Sequence, residues 1–163
     1  MDAREPVTRT HFISGVSPRL VFDVVVDFAA YPRLFREVKS VNLRSRVPAP
    51  TGGETARVEF KLDVVLPVRY VLDLTCRAEP AEAPTVDWTF VEGEIVTESQ
   101  GSWRFVSERD GTMVTYRVAL GIRAPVPGFV LRKITDGLVA ASLPAMFSAI
   151  EREAHRRAAT PGA

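Results

Sequence analysis

The chain has little of what most small-molecule chemistry requires. Its 163 residues contain one cysteine, Cys76, so no internal disulfide can form. There are two histidines, His11 and His155, and neither has a second metal-ligating residue at useful spacing. Both are expected to be structural or solvated, and no metal or cofactor is expected. No glycine-rich phosphate loop, nucleophile elbow or paired-acid constellation occurs. Charge of one sign is also missing: 21 basic residues stand against 20 acidic ones, a net charge of +1. Nucleic-acid binding, which is driven by phosphate neutralisation, is therefore not expected. No apolar run approaches a membrane span, and the first residues lack the apolar centre of a signal sequence. These absences lead to the expectation of a cytoplasmic protein with no stable membrane insertion.

What is present is an ordinary globular composition, 46% hydrophobic and 25% charged, in a length suited to one domain. From Pro127 to about Arg157 the apolar spacing predicts one long C-terminal helix, with Pro127 at its first position. Val130, Leu131, Ile134, Leu138, Ala141, Ala145 and Ala149 share one face, which is large at its start and small later, with Gly137 at its edge. Small residues on such a face leave room for close packing or for a ligand. Pro144 predicts a kink. A second stripe, Val139, Leu143, Met146, Phe147 and Ile150, is either buried too or offered to a second copy of the chain, a possible homodimer.

The rest of the chain precedes this helix in a simple order. Residues 7–14 read as a strand. Ser17-Pro18 opens a helix running to near Asp27, and Tyr31, Leu34 and Phe35 mark a second short one. Six strands follow, beginning with 38–47. In 55–66 alternation is clean, with Ala56, Val58, Phe60, Leu62 and Val64 against Arg57, Glu59, Lys61 and Asp63. Turns are expected at Leu66-Pro67-Val68, Glu92-Gly93 and Arg109-Asp110-Gly111. Strand, two helices, six meandering strands and a long helix imply an α+β fold: a curved antiparallel sheet of about seven strands wrapped around the C-terminal helix. Residues 7–155 form the core of this single domain, 1–163, and 158–163 are expected to be a disordered tail.

The bulky inward-facing positions are Phe60, Tyr70, Trp88, Phe90, Trp103, Phe105 and Tyr116. Facing small helix residues, such a set either fills a core or lines an apolar pocket. Ile134, Leu138 and Ala141 supply the helix side of that pocket. Arg77 is the best polar candidate, yet it alternates with the apolar set of its own strand. Either a bulge near Thr75 turns it inward, or it is a surface arginine, and Asp73 and Thr75 share its face. Phe129, after Pro125-Val126-Pro127-Gly128, either borders a cavity entrance or staples the helix N-terminus. Cys76 falls on the apolar side and reads as an inert buried thiol.

Several stretches together carry a resemblance. They are Val21-Phe22-Asp23-Val24-Val25-Val26-Asp27 with Tyr31-Pro32, then Thr75-Cys76-Arg77, Trp88-x-Phe90-x-Glu92-Gly93, and Gly101-Ser102-Trp103-Arg104-Phe105. In this order and spacing, over residues 7–155, the chain resembles the START-like superfamily. It looks most like the polyketide cyclase and coenzyme Q-binding group, which also contains a bacterial ribosome-association toxin. The resemblance implies a helix-grip fold and binding or transport of a lipid, isoprenoid quinone or polyketide in a cavity between sheet and helix. It also implies two alternatives, a polyketide aromatase/cyclase and a ribosome- or protein-association module. In a cyclase, Arg77 would match a cavity arginine and Tyr116 would have to move protons. Two positions depart from the pattern. Glu94-Ile95 follows Gly93 where members often have Pro-Phe, and Val38 stands where cyclases tend to carry tyrosine. The second weighs against cyclisation chemistry, and a non-catalytic binder is the leading expectation.

Overall fold

The computed structural model describes residues 6–138 and 143–160, with backbone alone for 137–138. Strand β1 (Val7–Ser14) leads into helix α1 (Pro18–Val25), a 3₁₀ turn (Phe28–Ala30) and helix α2 (Tyr31–Leu34). Strands β2 (Val38–Pro48), β3 (Glu54–Val64), β4 (Leu66–Arg77), β5 (Thr85–Glu94), β6 (Val96–Glu108) and β7 (Gly111–Ile122) follow. Helices α3 (Gly128–Leu138) and α4 (Leu143–Ala158) complete the order. The strands form one antiparallel sheet in the order β1-β7-β6-β5-β4-β3-β2. Shifts of register in the β2–β3, β4–β5 and β6–β7 ladders bend it, as inserted residues do.

Local chemistry explains most boundaries. Ser17 caps α1, its hydroxyl accepting the Leu20 N–H at 3.2 Å, and Pro18 occupies the first turn, where its missing N–H costs nothing. One face of α1 buries Val21, Phe22, Val24 and Val25. Where two hairpin turns were expected, the turns lie elsewhere. Val64 pairs directly with Leu66, so the β3–β4 turn centres on Val65, and Pro67 is already in β4 opposite Asp63. The β5–β6 turn centres on Ile95 rather than Glu92-Gly93. Val65 and Ile95 have φ of 68° and 74°, a left-handed backbone that β-branched residues rarely adopt and that sequence rules assign to glycine. Gly93 instead serves close approach within β5: a Cβ there would sit 2.7 Å from the Val96 carbonyl oxygen.

The C-terminal helix is seen in two segments, and the chain between them, 139–142, lies outside the described residues. Pro127 precedes the first segment rather than beginning it; its carbonyl accepts the Val130 and Leu131 N–H groups at 3.0 and 3.1 Å. Pro144 is the second described residue of α4, and the carbonyl four residues before it, at 140, lies outside the described residues, as does the predicted kink. Of the second stripe, Leu143, Phe147 and Ile150 are buried within this chain and Met146 is partly buried, while Val139 lies outside the described residues.

Side-chain bonds fasten α4 in place. His11 Nε2 of β1 lies 2.6 Å from Glu151 Oε1, with its ring stacked on Phe147, and His155 Nε2 lies 2.8 Å from the Ser14 carbonyl oxygen. Both histidines therefore tie α4 to β1. Glu153 is 4% exposed and receives bonds from Arg33, Arg156 and Arg157, while Arg157 also reaches Asp27 at 2.7 Å. Three guanidiniums so close hold the Glu153 carboxyl well below the usual carboxylate range, those of Arg156 and Arg33 contributing most. No described helix is long and apolar enough to cross a membrane.

Candidate functional site: an aromatic cavity under helix α4

Between the concave face of the sheet and α4 lies a cavity of about 390 Å³. Period-two geometry builds its floor. Phe60 and Tyr70 are direct cross-strand partners on β3 and β4, their rings stacked at 5.4 Å. Trp103 and Tyr116 are partners on β6 and β7, with centroids 4.5 Å apart. Trp88, on β5 between the two pairs of strands, stacks on Tyr116 at 5.6 Å. Leu62, Leu72 and Leu74 fill the same face. The roof comes from Ala145, Met146 and Ala149 of α4, and one end wall from Tyr31 to Val38.

Two details keep the tryptophans in position. The Trp88 indole N–H donates to the Ser99 hydroxyl at 3.1 Å, so its one polar atom is satisfied within the sheet. Gly101, opposite Trp88 in the ladder, has no side chain because the Trp88 ring and the Arg117 carbonyl occupy the space a Cβ would need. Trp103 lies parallel to Phe105 at 5.9 Å and meets the edge of Phe147.

The expected lining is thus only partly the observed one. Phe60, Tyr70, Trp88, Trp103 and Tyr116 face the cavity. Phe105 does not: it is fully buried under α1, its ring edge-on to Phe22, and belongs to the solid core. Ile134 is also fully buried outside the cavity. Phe90, beside the irregular step in the β4–β5 ladder, packs against the margin of the core beyond the cavity. Phe129 is 58% exposed; it neither lines the cavity nor packs as a staple. The Leu138 side chain and Ala141 lie outside the described residues.

Arg77 is on the outer face. The β3–β4 ladder runs without a shift from Glu54 to Leu66, so no bulge at Thr75 turns the strand over. Arg77 donates to Asp87 at 3.3 Å and to the Thr51 hydroxyl, while Asp73 pairs with Arg57 and Thr75 with Thr55 on the same wet surface. Cys76, on the opposite parity, is half-buried, and burial pushes its thiol up to about 11. It is protonated at neutral pH and is no nucleophile there.

Residues overlooked in the sequence complete the site. Leu62, Leu72 and Leu74 share the alternation of Phe60 and Tyr70 and were legible by parity. Tyr31, Arg36, Glu37 and Arg152 were not, because only the crossing of α4 over the α2–β2 segment brings them to the cavity. Tyr31 donates to the Val25 carbonyl oxygen. The Tyr70 and Tyr116 hydroxyls have no hydrogen-bond partner among the described residues. Burial raises all three phenols above their usual range, and neighbouring Tyr70 raises Tyr116 further. The described lining can therefore offer neutral phenol donors to a carbonyl or hydroxyl, and among the described residues of the interior no group is poised to accept a proton at neutral pH. Among the described residues, no set of three side chains could hold a metal ion.

Known proteins with this architecture give the cavity a context. The Zhui aromatase/cyclase from a Streptomyces species superposes with a TM-score of 0.81 at 19% identity, over 99% of this chain and 99% of that one. A START superfamily protein from Mycobacterium smegmatis gives 0.71 at 18% identity, over 93% and 97%. A STAR-related lipid transfer protein fragment from Xanthomonas axonopodis gives 0.70 at 15% identity, over 94% and 91%. At such identities these likenesses establish the fold alone. No curated protein matches the chain in sequence. Residues 5–154, however, match the family of polyketide cyclase/dehydrase and lipid transport proteins along most of the chain. The chain belongs to that family, and its sheet closed over a C-terminal helix is the START-like helix-grip fold.

Proposed function

We propose that this protein binds an apolar or aromatic small molecule in the cavity under α4 and carries it unchanged. The observation that supports this is the interior itself: aromatic and aliphatic walls, neutral phenols, and no charged group until the rim. Each 100 Å² of apolar ligand surface covered there is worth about 2.5 kcal/mol before the costs of association. Lipids, isoprenoid quinones and polyketides all meet the requirement of a large apolar body with few polar atoms.

A second reading, the aromatase/cyclase, is favoured by one feature. Tyr70 and Tyr116 bring two phenol donors to the same aromatic wall, where they could hold successive carbonyls of a poly-β-ketone chain. The outward Arg77 removes the carbonyl-polarising group this reading relied on, and the raised phenols are poor acids at neutral pH. Carriage is therefore the stronger reading.

Native mass spectrometry of protein purified from its own host tests the choice. A retained apolar molecule near one per chain, released unchanged after prolonged incubation, supports carriage. A linear polyketide that returns ring-closed and dehydrated supports the cyclase. A protein that takes up no apolar compound, with unperturbed fluorescence from its two tryptophans, refutes both.

A further inference from the structure

The cavity has a charged rim at one place. Among its described lining residues only Arg36, Glu37 and Arg152 carry charge. Arg36 follows α2, and Arg152 is on α4. The two elements are held side by side because Arg33 donates to both Glu153 carboxylate oxygens at 3.2 Å. Arg33 is three residues before Arg36, and Glu153 immediately follows Arg152, so both residues enter the cavity lining beside this junction, and both are exposed.

Their pairing is unlike that of the arginines around them. Arg33, Arg156 and Arg157 are engaged by Glu153, with Asp27 on Arg157. On the outer sheet face Arg44, Arg57, Arg69, Arg77 and Arg104 all have carboxylate partners. Arg36 and Arg152 have neither an ion pair nor a hydrogen bond among the described residues. Glu37, the one acid of the lining, pairs with neither. Two guanidiniums against one carboxylate leave the mouth positive above an uncharged aromatic interior. A guanidinium's planar fork suits a carboxylate or phosphate, and at an exposed rim it stays hydrated until such a group arrives.

We infer that the ligand is an amphiphile whose apolar body fills the cavity and whose single anionic group, a carboxylate or a phosphate, sits at the mouth between Arg36 and Arg152. This rests on the reading of the cavity as a binding site and narrows its ligand: a neutral molecule would leave both arginines unused. Glu37 disfavours a second anionic group. Orientation follows too, with the tail toward Trp88 and Trp103 and the head in water.

The chain's two tryptophans both line the cavity, so their fluorescence reports occupancy. The full-length protein is titrated with decanoate, decyl phosphate and decanol, then again as the Arg36→Gln/Arg152→Gln variant. Decanoate, decyl phosphate or both are expected to bind at least about tenfold more tightly than decanol, a preference that shrinks at high salt. Whichever anion is preferred identifies the head group. The double variant should lose the preference and keep its decanol affinity, which shows its cavity intact. Equal binding of all three by the wild type, or an anion preference that survives in the variant, overturns the inference. Binding of decanol alone overturns it and leaves the cavity reading standing. Binding of none overturns both.

Discussion

Replacing Glu153 by glutamine should be the most damaging single change outside the hydrophobic core. The carboxylate is 4% exposed and accepts from Arg33, Arg156 and Arg157, linking α4 both to itself and to α2. Breaking a buried charge cluster by removing one partner costs about 3–5 kcal/mol. The low end applies, because the Arg33 and Arg156 side chains are 56% and 59% exposed and can regain water when released. A loss of about 3 kcal/mol in a domain of this size lowers the melting temperature by roughly 6–12 °C. Calorimetry of wild type and Glu153→Gln at neutral pH measures it.

The same residue sets a pH signature. Its carboxyl is depressed in the folded state, so the unfolded chain takes up the proton first as pH falls. The stabilisation is complete above the unfolded value of about 4.3 and is lost progressively below it. Wild-type stability should therefore fall more steeply on acidification than that of Glu153→Gln. If the two proteins melt together at neutral pH and follow parallel curves into acid, the Glu153 cluster is a surface decoration and the reasoning fails.

Three other outcomes follow from the structure. Arg77→Ala should change stability by no more than about 1 kcal/mol and leave ligand affinity unaltered, since it removes one outer-face ion pair; a large loss of binding in a fluorescence titration would place Arg77 in the cavity after all. Phe105→Ala should cost about 3–5 kcal/mol in urea unfolding, because the ring is fully enclosed between Trp103 and Phe22. Cys76, with its thiol pushed up to about 11, should react with iodoacetamide at neutral pH roughly a hundredfold more slowly than an ordinary thiol; alkylation at the rate of free cysteine would contradict its burial.

The strands were legible because alternation is a local consequence of the pleat: Ala56, Val58 and Phe60 face one way whatever else the chain does. Caps were legible for the same reason, as at Ser17-Pro18. Hairpin turns were misplaced where β-branched Val65 and Ile95 adopt a backbone that local preference assigns to glycine, while Gly93 answers to a close approach inside a strand. There the constraint comes from neighbouring strands, and no local rule carries it.

By itself, then, the sequence determined the element order, the wet and dry faces of strands such as β3, β4 and β7, and most of the aromatic floor of the cavity. Tertiary structure decided which of those aromatics border empty space. Phe105 and Trp103 share one face of β6, yet α1 covers the first and leaves the second beside the cavity. It decided the side of Arg77, through an unbroken β3–β4 ladder that only pairing can guarantee. It also assembled the mouth. Arg36 and Arg152 are 116 residues apart in the chain, and no periodicity relates them; both line the cavity where a buried carboxylate on α4 is bound by an arginine on α2.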